Sequence, residues 1–198
     1  MWVQGRPTAV LDFWHQEPCN RCAGGECWPA HRVVELFKAN DARVVAALSE
    51  AMAAVAQQEF GATHIDAVVP TIASGAASAP ATSSTGRLAA AVAHALGVQP
   101  DFGTFTQTPR ESLHRGAFKN RERRRQILDE SLRCADGQYG RRILLVDDVI
   151  SSGATGTAYS EKFAERGGTL AAVAGIVKYA SEEPPLNEAF LRGLVRGR

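Results

Sequence analysis

Two adjacent carboxylates, Asp147 and Asp148, stand where an apolar stretch ends and a loop of small residues begins. The apolar residues before them, 143–146, predict a strand of a parallel sheet, because such strands are buried on both faces. Open α/β sheets bind ligands just outside the carboxyl ends of their strands. At such a strand end the two carboxylates can accept hydrogen bonds from vicinal sugar hydroxyls, or face a hydrated Mg²⁺ ion.

The loop after the acids has the composition of a phosphate-binding turn. Its backbone N–H groups, its hydroxyls and the N-terminus of the helix predicted to follow can all contact a phosphate. The loop residues are Ser151, Ser152, Gly153, Ala154 and Thr155. Because diol and phosphate recognition lie side by side, the pattern predicts a ribose 5-phosphate site. The alternative is an ordinary strand–turn–helix that happens to contain Asp and Gly.

Residues 142–155 resemble the phosphoribosyl pyrophosphate (PRPP) signature of the type I phosphoribosyltransferases. A cysteine-rich N-terminal segment, the stretch 34–41, a long helix and then Val68-Val69-Pro70 are similar in order to the competence-protein F (ComF)-like branch of that family. The resemblance implies an open, mostly parallel α/β sheet flanked by helices over residues 36–198. It also implies a small zinc-ribbon-like head over residues 1–35.

The resemblance further implies the role of each part of the site. Asp147 and Asp148 hold the ribose hydroxyls and the water shell of Mg²⁺, and residues 151–155 cradle the 5-phosphate. A small-residue loop contacts pyrophosphate through its backbone; its members are Thr71, Ile72, Ala73, Ser74 and Gly75. The implied reaction is Mg²⁺-dependent transfer of ribose 5-phosphate from PRPP to a nitrogen nucleophile with release of pyrophosphate. Nothing in the sequence identifies the acceptor.

A basic segment lies between Arg110 and Arg125. Above an active site, cations such as Arg115 and Lys119 would neutralise the departing pyrophosphate and help to exclude water. The end at residues 123–125 is equally compatible with a solvated helix face. The same cations could instead follow a nucleic-acid backbone. The alternative function is therefore a non-catalytic module of the same fold that senses PRPP or a nucleotide, or binds single-stranded nucleic acid in competence-type DNA handling.

Three cysteines, Cys19, Cys22 and Cys27, lie within reach of a single metal ion. With His31 or His15 as the fourth ligand they would form a tetrahedral Cys₃His zinc site. An iron–sulfur cluster usually takes four cysteines, and Cys134 is distant in sequence. Metal-free reduced cysteines on a loop are the alternative. We expect a structural Zn²⁺.

The net charge of +1 gives the whole molecule no general attraction to polyanions, so any nucleic-acid contact would have to be local. No apolar run approaches membrane-spanning length, and charged residues interrupt the N-terminal segment. The clustered cysteines do not suggest an extracellular disulfide framework. We expect a cytoplasmic protein without membrane contact, and a homo-oligomer.

Hydrophobic spacing predicts alternating helices and strands, which is typical of a mostly parallel sheet. Before the basic segment, the predicted elements are a helix capped by Asn40 or Asp41 and ended by Gly61, a strand over 64–70, a helix ended by Gly97 and a strand over 102–106. A helix through Ile127, Leu128 and Leu132 then leads to the strand before the acids. After the acids we expect a helix over 155–166, a strand over 170–177 and a short amphipathic segment over 186–194.

Overall fold

The computed structural model describes residues 2–3, 6–14, 29–109, 121–150 and 153–179. Their elements are β1 (Trp2–Val3), β2 (Arg6–Trp14), α1 (Pro29–Lys38), α2 (Ala42–Phe60), β3 (Ala67–Pro70), α3 (Ser84–Leu96), β4 (Gln99–Pro100), β5 (Phe105–Gln107), α4 (Arg121–Ser131), β6 (Leu132–Cys134), β7 (Arg142–Ile150), α5 (Ala154–Ala164) and β8 (Thr169–Tyr179).

A six-stranded sheet in the order β1-β2-β8-β7-β3-β4 forms the centre of the described structure. All neighbouring strands from β2 to β4 pair in parallel, and the edge strand β1 pairs antiparallel with β2. The predicted α/β class, with a mostly parallel sheet flanked by helices, is confirmed. Parallel strands need covering on both faces, which explains why β3 and the middle of β7 are apolar throughout.

Two apolar clusters cover the two faces of the sheet. Alternate sheet residues such as Val68, Leu144 and Val146 share the first cluster with α1, α2 and α3. Residues such as Val69 and Leu145 share the second cluster with α5 and the ribbon of β5 and β6. This alternation follows from the two-residue period of a strand.

The predicted helix boundaries after residue 40 are largely confirmed. Asp41 caps α2, since its Oδ1 accepts a hydrogen bond from the Val44 N–H at 3.1 Å. Gly61 ends α2, and Gly97 ends α3 with a left-handed φ of 70°. Glycine adopts this conformation without the steric cost that other residues meet.

Three predicted elements differ from those observed. β5 covers Phe105–Gln107 and lies in a separate antiparallel ribbon with β6, outside the main sheet. The helix predicted through Leu132 ends at Ser131, and Leu132 begins β6. β7 does not end at the acids but continues through them to Ile150, because β8 stays paired with it along that length.

Part of the predicted N-terminal head lies within the α/β architecture. β2 pairs in parallel with β8 over residues 8–14, and α1 contributes Val33, Val34 and Phe37 to the first apolar cluster. β2 and the first turns of α1 lie within residues 1–35, which the family resemblance assigns to the head. Residues 15–28, which carry the three cysteines, lie outside the described residues.

Gly86, in the first turn of α3, provides a test of this packing. A Cβ atom there would overlap the backbone carbonyl of Pro80 and approach Ser83 Oγ to 2.9 Å. We expect Gly86→Ala to lower the free energy of unfolding by about 1–3 kcal/mol, the usual cost of overpacking. Denaturant titration measures this difference.

Gly156 is the matched control, because a Cβ there would meet only Val173 Cγ2, at 3.8 Å. It lies inside α5, so Gly156→Ala should raise the stability by about 0.4–1 kcal/mol through the lower entropy of the unfolded chain. Equal stabilities for the two alanine variants would contradict the packing described around Gly86.

Candidate functional site

The two acids lie where β7 extends beyond its neighbour β3. The pairing of β3 with β7 ends at Pro70 and Val146, whereas the pairing of β7 with β8 continues to Ile150. Asp147 and Asp148 therefore border a step in the carboxyl edge of the sheet. Ligand crevices of open parallel sheets occur at this edge.

Asp147 is held by the loop that follows β3. Its Oδ1 accepts a hydrogen bond from Thr71 Oγ1 at 2.8 Å and another from the Asp148 N–H at 2.9 Å. Burial and the neighbouring charge of Asp148 raise the pKa of Asp147 to about 7, although the bond from Thr71 acts in the opposite direction. The close pair of like charges thus has a direct energetic cost.

Asp148 contacts a cation at the end of α1. Lys38 Nζ, at the C-terminus of α1, lies 3.2 Å from Asp148 Oδ2. Asp147 thus contacts the loop after β3, whereas Asp148 contacts the end of α1. The ammonium group offsets part of the charge that the two acids bring together.

The turn after Lys38 is fixed by α3. Ser84 Oγ donates a hydrogen bond to the Phe37 carbonyl at 2.6 Å and lies 3.2 Å from Asn40 Oδ1. Asn40 adopts a left-handed φ of 60°, a conformation that asparagine tolerates better than most residues. The end of α1, and with it Lys38, is therefore held at the edge of the sheet.

The predicted pyrophosphate loop lies beside the acid pair. Thr71 extends the line of β3, since its N–H donates to the Val146 carbonyl at 2.8 Å. The Ile72 N–H donates to the buried hydroxyl of Tyr159 at 2.8 Å, which attaches the loop to α5. Thr71 and Ile72 are buried, whereas Ala73 and Gly75 are exposed and Ser74 is partly exposed. The loop is anchored at its start and open at its tip.

Gly153, Ala154 and Thr155 form the start of α5, directly after β7. Gly153 has a left-handed φ of 75°, and its carbonyl accepts hydrogen bonds from the N–H and the hydroxyl of Thr157. The described part of the predicted phosphate loop thus leads into a helix N-terminus, whose partial positive charge favours anions. Ser151 and Ser152 lie outside the described residues.

Several predicted site residues cannot be placed. Arg115 and Lys119, together with Cys19, Cys22, Cys27 and the alternative ligand His15, lie outside the described residues. His31 belongs to α1, but its side chain is not described. Within the described ranges, no three His, Cys, Asp or Glu side chains form a group that could hold a metal ion. The zinc site therefore stays a prediction.

The basic end of the 110–125 segment is helical. Arg125 forms two hydrogen bonds with the Glu161 carboxylate on α5, at 2.7 and 3.2 Å. Arg123 is exposed and donates to Gln126 Oε1 within its own helix. Arg125 thus joins α4 to α5. This agrees with the interpretation of residues 123–125 as part of an exposed helix face.

Two side chains that hold the acids and the loop after β3 in place are not among the predicted site residues. Lys38 is a single lysine on a helix, and such a lysine is most often only a surface residue. Tyr159 stands among apolar residues of α5, where an aromatic side chain is usually only part of the core. The sequence signal for its role is the hydroxyl, because buried tyrosine hydroxyls usually have a hydrogen-bond partner.

Comparison of the chain with protein-family models gives no match, and comparison with curated proteins gives no significant relative. Among the described residues, no helix combines the length and the apolar character needed to cross a membrane.

A double-mutant cycle tests the contact between Lys38 and Asp148. We expect Lys38→Met and Asp148→Asn to be coupled by about 0.5–1 kcal/mol in unfolding free energy, because pairs that stay partly exposed contribute little more. Their side chains are 46% and 21% exposed. The coupling should decrease at high salt.

The exposed pair of Arg32 and Glu35 on the same helix is the control. As an i,i+3 pair it should couple by no more than about 0.5 kcal/mol. Strictly additive effects of Lys38→Met and Asp148→Asn would show that the lysine does not offset the charge of the acids.

Proposed function

We propose that the protein is a Mg²⁺-dependent phosphoribosyltransferase of the type I fold, closest to the ComF-like branch. In this proposal it transfers ribose 5-phosphate from PRPP to a nitrogen nucleophile and releases pyrophosphate. The observation that carries the proposal is the Thr71–Asp147 hydrogen bond of 2.8 Å. It brings the proposed pyrophosphate loop and the proposed ribose-binding acids, 76 residues apart in sequence, to one crevice.

The acid pair fits a diol. Carboxylates accept hydrogen bonds from hydroxyl groups, and the vicinal hydroxyls of a ribose can occupy two acceptors at once. The step between β3 and β7 leaves the backbone of the acids without a β3 partner, and this is where the proposal places the ribose. Lys38 and Thr71 hold the acids in place before any ligand arrives.

Two anion-binding segments flank the acid pair in this proposal. Residues 151–155 bind the 5-phosphate at the N-terminus of α5, and the 71–75 loop binds pyrophosphate through its backbone. The Ile72–Tyr159 bond links the pyrophosphate loop to the helix that carries the 5-phosphate segment. A monophosphate and a pyrophosphate separated by a ribose are what PRPP presents.

The donor set also fits Mg²⁺ arriving with PRPP. Carboxylate oxygens and hydroxyls suit a hard cation and its bound water, and Mg²⁺ usually binds through one or two carboxylates together with substrate phosphates. Bound Mg²⁺ would supply positive charge that lowers the barrier to pyrophosphate departure. The residues of the chain orient the ribose and hold the departing pyrophosphate. In this proposal Arg115 and Lys119 help to hold the pyrophosphate.

The decisive experiment for the activity is incubation with PRPP, Mg²⁺ and a panel of nitrogenous bases while pyrophosphate release is followed. Acceptor-dependent release is the expected outcome. Binding of single-stranded DNA or RNA with a steep salt dependence, without pyrophosphate release for any acceptor, would favour the binding-module alternative.

We predict that Asp147→Asn combined with Asp148→Asn weakens PRPP binding by at least about a hundredfold while the fold is kept. Hydrogen bonds to charged groups contribute about 1.5–3 kcal/mol each, and tenfold in affinity is about 1.4 kcal/mol. The fold should survive because the substitution also removes the repulsion between the acids. Calorimetry with PRPP and Mg²⁺ measures the affinity, and circular dichroism checks the fold.

The matched control is Glu50→Gln combined with Glu59→Gln, which makes the same change in net charge on exposed positions of α2. It should leave PRPP affinity unchanged. An Asp147/Asp148 variant that binds PRPP as tightly as the control would exclude the proposed ribose site.

We also predict one tightly bound Zn²⁺ per chain, held by Cys19, Cys22 and Cys27 with His31 or His15. Thiolates near one another bind Zn²⁺ strongly, and structural zinc remains through purification. Elemental analysis of untagged protein gives the stoichiometry, and Cys22→Ser should abolish it. A zinc content near zero in the wild-type protein would contradict this assignment.

A further inference from the structure

Gln107 is a buried polar residue that binds the backbone of the loop after β3. It ends β5 and has only 5% of its surface exposed. Its Nε2 donates hydrogen bonds to the Ala73 carbonyl at 2.6 Å and the Ala76 carbonyl at 2.9 Å. Its backbone N–H donates to the Ala77 carbonyl at 2.9 Å. One residue thus makes three hydrogen bonds to residues 73–77.

The other end of the Gln107 amide has no partner. Oε1 is buried and accepts no hydrogen bond from the described residues. The amide orientation is fixed by chemistry, because only its NH₂ group can donate to two carbonyls. A buried acceptor without a partner lowers stability and calls for an explanation. The explanation is that the two hydrogen bonds of the NH₂ group to the loop fix the amide in this orientation, which leaves Oε1 without a donor.

The two carbonyl contacts determine where the neighbouring N–H groups point. All peptide bonds of the described residues are trans, and in a trans peptide the C=O and the following N–H point in opposite directions. Because the carbonyls of Ala73 and Ala76 face Gln107, the N–H groups of Ser74 and Ala77 face away from it. Neither N–H meets an acceptor in the described part of the chain.

We propose that Gln107 is a positioning residue for pyrophosphate binding. It holds two carbonyls of the loop inward, so that the N–H groups of Ser74 and Ala77 are already turned outward when the anion arrives. Outward N–H groups on a loop of small residues form an anion-binding concavity. Keeping the carbonyls away from the anion also removes a repulsion. This inference rests on the proposed function, since it assumes that this loop binds the pyrophosphate group of PRPP.

The test compares two ligands by calorimetry, pyrophosphate with Mg²⁺ and ribose 5-phosphate. Gln107→Met keeps the approximate length of the side chain but replaces the amide by an apolar thioether, which removes both hydrogen bonds to the loop carbonyls. We expect it to weaken pyrophosphate binding by at least about tenfold, the effect of losing roughly one well-placed hydrogen bond. Ribose 5-phosphate affinity should change by less than about twofold, since that ligand contacts neither Ser74 nor Ala77 in the proposal.

Gln138 provides a matched control. It is also a buried glutamine, 6% exposed, whose Nε2 donates to a backbone carbonyl, that of Asp136, at 3.1 Å. Its Oε1 accepts from Arg141, so Gln138→Met removes a comparable polar contact far along the chain from the loop. This variant should leave the affinity for both ligands unchanged.

The outcomes separate the positioning role from the proposed function. If the wild-type protein binds pyrophosphate and Gln107→Met binds it equally well, the positioning role is wrong and the proposed function stands. If the Gln107 and Gln138 variants weaken both ligands alike, the effect is a general loss of stability and the positioning role is again wrong. If the wild-type protein binds neither ligand nor PRPP, the proposed function fails and this inference fails with it.

A second variant covers a failure of Gln107→Met to fold. Gln107→Asn retains an amide and the backbone bond to Ala77, but it is one methylene shorter and cannot reach both carbonyls. The same selective loss of pyrophosphate affinity is expected, and an unchanged affinity overturns the positioning role.

Discussion

The burial of two adjacent carboxylates, Asp147 and Asp148, is the constraint on which the arrangement of this site depends. Burial and the neighbouring charge of Asp148 raise the pKa of Asp147, so the charged form of this carboxyl costs free energy in the folded chain. The fold offsets this cost with one contact for each acid. A hydroxyl from the loop after β3 binds Asp147, and an ammonium group from α1 binds Asp148.

These two contacts explain features that otherwise look unrelated. Lys38 can reach Asp148 only because the end of α1 is fixed, and Ser84 fixes it through the Phe37 carbonyl. Thr71 can reach Asp147 only because its backbone continues β3 for one more residue, to the Val146 carbonyl. Lys38 and Thr71 are thus held near the acids by the turn at the left-handed Asn40 and by the end of the short strand β3.

The sequence predicts best what is encoded locally. The strand before the acids, the loop at Gly153 and the α/β class can be inferred because the hydrophobic period, glycine and small residues act within a few positions. The contact between Lys38 and Asp148 joins residues 110 positions apart and depends on how α1 packs against the sheet. No local pattern contains that information.

The errors in element assignment have physical reasons. Leu132 lies four residues after Leu128 and continues a helical spacing, but it is buried as the first residue of a strand paired with Gln107. β2 was overlooked because strand formation depends strongly on the neighbouring strand, here β8.

The difference in length between β3 and β7 restricts how the length of β3 can change without altering the site. β3 has four residues and β7 has nine, and the crevice beside the acids is the space that the shorter strand leaves. Lengthening β3 by two residues would extend its ladder alongside Asp147 and Asp148 and fill the crevice with main chain. The length of β3 therefore determines how much of the β7 backbone beside the acids stays unpaired.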